Sequence, residues 1–218
     1  MKITSLVYLL MPIAIILNFL WAPSAEILGN TSRILYFHVP AAVVSVIGFV
    51  VAGVYSIRCL ATGREEFSLK ARSAVGLGLA FTVITTVTGS VWAKAAWGTY
   101  WNWDPRETSI IVLLLIYVAY FSLYAALGES EARAKISSAY LIFSMAVMPF
   151  FVFVVPRVYQ SLHPNTIINA QGTVMLDTDM RIALAVSAVA FIFLYCRLTV
   201  LQHRLIKLEA KLSELGEE

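Results

Sequence analysis

Charge and cysteine are scarce in this chain. Only 13% of its 218 residues are charged while 60% are hydrophobic, against about a quarter charged in a soluble domain, so the sequence reads as an integral membrane protein. Cys59 and Cys196 stand alone, which excludes both a disulfide framework and a CxxC redox or haem-attachment motif. No GxxxxGK[ST] run occurs, so ATP is not bound through a P-loop. The interiors of the long apolar runs contain no Asp, Glu, Lys, Arg or His, the groups on which proton- and ion-driven transporters usually depend. Neither an internal repeat nor a low-complexity tract is present. A net charge of +3 is small; the placement of the basic residues says more than their sum.

A helix needs roughly 20 apolar residues to cross the hydrocarbon core. Six segments qualify, at about 3–21, 40–60, 74–92, 107–127, 136–155 and 181–201. The fold class that follows is all-α: a polytopic membrane protein whose residues 1–218 form a single six-helix membrane domain with an outward-facing Trp-rich loop. Eleven of the 16 Lys and Arg residues fall on the side shared by both ends, and five (Arg33, Lys94, Arg106, Arg157, Arg181) on the other. The positive-inside rule therefore predicts cytoplasmic termini and outer loops at about 22–39, 93–106 and 156–180. The first run follows Lys2 and precedes Pro23-Ser24-Ala25 as a signal peptide would, but it exceeds the usual apolar length of one and reads as a retained anchor. On the cytoplasmic side, 61–73 reads as a polar loop. From Gln202 the tail places Leu205, Leu208, Leu212 and Leu215 at helical spacing, an amphipathic extension of the last helix. Thr82, Thr85, Thr86 and Thr88 give the third span a hydroxyl-rich stretch, the composition of helix-packing glue.

The outer side carries the unusual chemistry. All five tryptophans (Trp21, Trp92, Trp97, Trp101, Trp103) sit at or beyond outer span ends. An interfacial aromatic belt accounts for Trp21 and Trp92; the density at 97–103 also suits a wall for a flat ligand, and on a helix Trp97 and Trp101 would stack at i and i+4. In Asp104-Pro105-Arg106-Glu107 the first, second and fourth residues form a capping-box helix start. Arg106 has no capping role, and its guanidinium suits either a ligand carboxylate or a lipid phosphate. His38, in YFHVPAA, and His163, in YQSLHPN, lie in outer loops beside prolines. Each alone is an ordinary surface residue; together they could ligate a haem iron from opposite faces. Zinc suits them less, because a structural site needs four ligands. Indoles for a flat ring, two imidazoles for a metal and a guanidinium for a carboxylate all suit haem. Asp179, at the start of the last span, reads as a helix cap, and 165–180 as either an outer lid or a mobile segment.

The run Trp97-Gly98-Thr99-Tyr100-Trp101-Asn102-Trp103-Asp104-Pro105-Arg106 has the form WGxxWxWDxR. It resembles the Trp-rich-loop (WWD) haem-handling family of cytochrome c biogenesis. The short six-span form, with "HVP" at His38, is similar to the cytochrome c maturation protein C (CcmC, haem exporter protein C) type along essentially the whole chain. Glu107-Thr108 is more like the larger CcsA/ResC-type cytochrome c synthases, whose additional outer-loop histidines this chain lacks. The resemblance implies that haem b is bound at the periplasmic face of a bacterial inner membrane, with Trp97, Gly98, Trp101, Trp103, Asp104 and Arg106 against the macrocycle and His38 and His163 on the iron. It also implies delivery to the haem chaperone CcmE beside the ABC transporter subunits CcmA and CcmB and the small membrane subunit CcmD. On this reading the chain transfers haem rather than catalysing a reaction. The alternatives are a short synthase subunit and a subunit that itself moves haem across the bilayer.

Overall fold

The computed structural model describes residues 3–26, 28–163 and 176–216. Among these the regular structure is helical, and the one strand-type pairing is an isolated bridge between Ala25 and Gly29. The elements are α1 (Ile3–Ile16) running into a π-helical turn (Leu17–Trp21), a 3₁₀ turn (Asn30–Ile34), α2 (Leu35–Thr62), α3 (Glu65–Trp97), α4 (Pro105–Ala126), α5 (Arg133–Pro149), a second π-helical turn (Phe150–Val154), α6 (Val155–Val158) and α7 (Thr178–Gly216). They make six segments long and apolar enough to span a bilayer: Ile3–Trp21, Asn30–Thr62, Glu65–Trp97, Pro105–Ala126, Arg133–Val158 and Thr178–Glu209. The protein is a polytopic membrane protein.

Helix continues past the apolar runs wherever the flanking residues favour it. Between α2 and α3 only Gly63 and Arg64 break the helix; Gly63 takes the left-handed conformation (φ +68°) and its amide donates to Cys59 O at 2.8 Å, the usual glycine helix stop. The segment 61–73, expected as a loop, is therefore mostly the first turns of α3, where Glu66 pairs with Lys70 at 2.8 Å, one turn on. At the opposite end α2 begins at Leu35 rather than near Pro40, so His38 lies within the helix and not in the loop before it. The three connections on that side shrink to 22–29, 98–104 and 159–177. The expected lid at 165–180 lies largely outside the described residues. Asp179 falls inside the first turn of α7, which starts at Thr178, so it sits two positions too late to cap it.

α2 is the central helix. It packs along α3 and also meets α5 and α7; α4 touches α3 and α5, and α1 leans on α7. The α2–α3 crossing is close because Gly48 faces Gly78: a Cβ on Gly48 would sit 2.9 Å from the Gly78 Cα, the small-residue contact that lets membrane helices approach. Below that crossing Phe49 stacks on Tyr117 with ring centroids 3.5 Å apart, at the head of a core that includes Leu141, Met148 and Tyr120. Several buried hydroxyls within this bundle are satisfied locally: Ser56, Thr82, Thr85 and Ser144 each donate to the carbonyl one turn back, at 2.8–2.9 Å, as groups removed from water do where the helix offers a partner; the hydroxyls of Tyr117, Tyr120 and Ser138 are buried without one. Above the core, near the Trp-bearing ends, the helices separate around a cavity.

Candidate functional site

The site begins with a helix stop and a helix start at the two ends of the seven-residue connection 98–104. Gly98 ends α3 in the left-handed conformation (φ +84°), its amide donating to Lys94 O at 3.1 Å. Asp104 begins α4: its carboxylate accepts from the Arg106 amide at 2.9 Å, Pro105 takes the first helical position, and Glu107 reaches back to the Asp104 amide at 3.2 Å. The predicted capping box is present. Glu107 Oε2 also accepts from the Asn102 amide at 2.7 Å. Between those two anchored amides Trp103 is held at φ +56°, a conformation costing a bulky residue about 1–3 kcal/mol unless its surroundings impose it. Trp103 is 74% exposed there.

Because α3 stops at Trp97, Trp97 and Trp101 do not share a helical face, contrary to the expected stacked pair. The indoles divide instead. Trp97 meets Trp92 edge-on at 5.0 Å, and both rings lie against the His163 imidazole, at 5.0 and 6.1 Å. Trp101 meets Trp103 edge-on at 5.9 Å. Trp92, read as part of an interfacial belt, is thus a neighbour of His163, a contact that only the fold brings about.

A cavity of about 440 Å³ opens at this end among α2, α3, α4 and the α5–α6 region. That volume lies within the range of small-molecule sites. His38, Trp101, Arg106 and His163 line it together, whereas Trp97, Gly98, Trp103 and Asp104 stand outside its lining. Its walls are mainly apolar, with Val39, Val43, Ile110 and Phe151 among them, and Thr82, Thr85 and Thr86 add hydroxyls. The π-helical turn after Pro149 supplies Phe151, Val152 and Phe153; such turns re-aim side chains and recur at functional sites.

Each imidazole is oriented by a partner at Nδ1. Thr88 Oγ1 donates to the Ile84 carbonyl at 2.7 Å, so towards His38 Nδ1, 3.1 Å away, it accepts. His38 therefore carries its proton on Nδ1 and leaves the Nε2 lone pair free. Gly89 makes room for the ring, since a Cβ there would lie 2.9 Å from His38 Cε1. His163 Nδ1 lies 3.0 Å from Asp104 Oδ1. Asp104 is 3% exposed. Burial works to raise its pKa, but hydrogen bonds from the Arg106 and Leu162 amides and from Ser161 outweigh it and hold the carboxyl below its ordinary range. An ionised carboxylate only accepts, so His163 donates from Nδ1 and presents Nε2. Burial holds His163 below the ordinary imidazole value, with Asp104 opposing and Arg106 adding to the effect, so the ring is neutral at pH 7. Asp104 also gathers the whole segment before His163, accepting from Ser161 Oγ at 2.9 Å and the Leu162 amide at 2.6 Å.

Two neutral imidazoles with free Nε2 atoms therefore face one largely apolar cavity. Among the described residues no group of three or more His, Cys, Asp and Glu is placed to hold a bare metal ion. Paired imidazoles instead suit a metal whose equatorial positions are already filled by a macrocycle, and the indole and guanidinium of Trp101 and Arg106 suit the face and the acidic edge of such a ring.

Comparison with known proteins agrees with this chemistry. A family model described as "Heme exporter protein C" (CcmC) matches residues 1–216. Similar curated proteins include "Heme exporter protein C" of Escherichia coli (strain K12), 31% identical over 86% of this chain and 75% of that protein. The protein of the same name from Bradyrhizobium diazoefficiens is 31% identical over 81% of this chain and 67% of its own length. That of Rhodobacter capsulatus is 30% identical over 86% and 77%.

Proposed function

This chain belongs to the haem exporter protein C family, which handles haem in cytochrome c biogenesis, and we propose that it holds haem b at the outer face of the bacterial inner membrane and delivers it to the chaperone CcmE. The observation that carries this reading is the pair of imidazoles lining one cavity, each tied at Nδ1 so that Nε2 is free. His38 and His163 would take the two axial positions of the iron, Trp101 would lie against the ring, and Arg106 would meet a propionate. Asp104 serves indirectly: its carboxylate is occupied by the backbone and by His163, so it positions a ligand rather than touching haem. Trp103, exposed and held by Glu107, is available to an incoming protein, and CcmE is the partner it suits.

The relatives' name implies an ABC-type exporter complex, and the missing P-loop suits a subunit that relies on ATP hydrolysed elsewhere, by CcmA with CcmB and CcmD as membrane partners. With both termini cytoplasmic, as the basic residues predict, the cavity faces the periplasm. The cavity lies above the packed Phe49–Tyr117 layer, which favours presentation at one face over passage of haem through the bundle.

The test is an absorption spectrum of the purified protein. The wild type should show a six-coordinate bis-imidazole haem. His38→Ala and His163→Ala should each change the ligation bands and lower occupancy about 10- to 100-fold, the range for disturbing a metal's ligand environment. Wild-type spectra retained in both variants would remove the axial assignment.

A further inference from the structure

The chemistry assigned so far gives the acidic edge of the ligand only one basic partner, while a haem carries two propionates. A second guanidinium faces the same space. Arg157, on α6, lines the cavity together with Arg106, on the first turn of α4, and these two helices pack against each other. Among the described residues neither guanidinium forms an ion pair with a carboxylate. The two acids nearby are already engaged: Asp104 by Ser161, Leu162, His163 and the Arg106 amide, and Glu107 Oε2 by the amides of Asn102 and Asp104. Arg157 is also braced. Its Nη1 donates to the Phe153 carbonyl at 2.7 Å, at the end of the π-helical turn. A guanidinium has five N–H donors in a planar fork, so this bond fixes the group while leaving donors for a ligand. Two like charges beside one apolar cavity repel each other until an anion joins them, and two such forks match two carboxylates better than one.

We propose that Arg157 is a second carboxylate anchor of the cavity, so that with Arg106 it binds the two propionates separately and makes the site selective for dicarboxylate porphyrins. The proposal rests on the haem-binding reading above. The competing role for an arginine at this depth is contact with a lipid phosphate, which would be indifferent to the ligand's carboxylates.

The two are separated by titrating the full-length protein in detergent with haem and with haem dimethyl ester, following the Soret band. The wild type should bind haem at least tenfold more tightly than the diester. Arg157→Gln should weaken haem binding about tenfold, the effect of losing one charge-assisted contact, and leave the diester affinity unchanged, which also reports an intact cavity. Arg157→Lys should fall between, since an ammonium keeps the charge but not the fork. Equal wild-type affinity for haem and diester would overturn the proposal without needing any variant. So would equal losses for both ligands, or for neither, in Arg157→Gln. Failure of the wild type to bind either ligand would count against the haem-binding reading instead.

Discussion

His38 sits on a helix that continues to Thr62, wedged against Gly89 and bonded to Thr88 on the neighbouring helix. His163 hangs from the short segment after α6, and its place is set by Asp104 and by the rings of Trp92 and Trp97. One imidazole is fixed by two long helices packed along their length. The other is held by a few hydrogen bonds to a single carboxylate and by ring contacts with two indoles, one edge-on and one tilted. Under the proposed delivery of haem, a donor that must both shield and release its cargo would gain from this asymmetry: a fixed ligand would keep the iron in register while a conditional one is exchanged for the ligand of the acceptor. Displacement on transfer should therefore begin at His163.

The largest effect that probes this contrast is expected at Asp104. Asp104→Ala removes a helix cap, at about 1 kcal/mol, strands the part-buried donors of Ser161 and Leu162, and frees His163. Haem affinity should fall about 100-fold, at the upper end for loss of a ligand's orienting partner. Asp104→Asn keeps a good N-cap but cannot serve all the donors as an acceptor, so affinity should fall about tenfold with little loss of thermal stability. Matched haem affinities in Asp104→Asn and the wild type would show that His163 needs no such support. The fixed side is probed by Gly89→Ala, whose methyl must push the His38 ring or its own helix aside. Such overpacking costs about 1–3 kcal/mol, read here as a roughly tenfold weaker haem complex with altered ligation bands. An unchanged spectrum would mean that His38 has slack and that the contrast between the two ligands is false.

Much of this asymmetry was not legible in the sequence, for particular reasons. Hydropathy located every span, and Asp104-Pro105-Arg106-Glu107 announced the start of α4 because capping is a local matter. The split of the indoles had a local signal too: Lys94 in the last turn and Gly98 just after Trp97 form a helix-stop pattern, which overrides the i, i+4 spacing of Trp97 and Trp101. Pro40 suggested a helix start at its own position, since a first-turn proline loses no bond, yet α2 tolerates it five residues in. What no local pattern carries is contact across the chain. Thr88 and Gly89 meet His38 fifty residues away, Asp104 collects residues 161–163, and Arg157 comes to face the space of Arg106. The hydroxyls of α3 read as packing material, and Thr88 does bond within its own helix; its second bond, to His38, exists only because α2 and α3 run close enough.

The smallest and sharpest prediction concerns acid. Under the proposed ligation, which would use neutral Nε2, protons compete with iron only below the folded-state pKa of the ring. Burial holds His163 below the ordinary value of about 6.5, so the acid limb of haem binding should lie beneath pH 6.5. Folding obeys the same sign: the unfolded imidazole takes up its proton near 6.5 while the folded ring resists, so stability is lost as pH falls through that value. The two charged neighbours act in opposite directions, Asp104 raising the pKa of His163 and Arg106 lowering it. Arg106→Gln should therefore move the acid limb up by a fraction of a pH unit, and Asp104→Asn should move it down, even though both weaken binding at neutral pH. Shifts of the same sign in the two variants would show that the titrating ligand is not the one tethered to Asp104, and the exchangeable role would pass to His38.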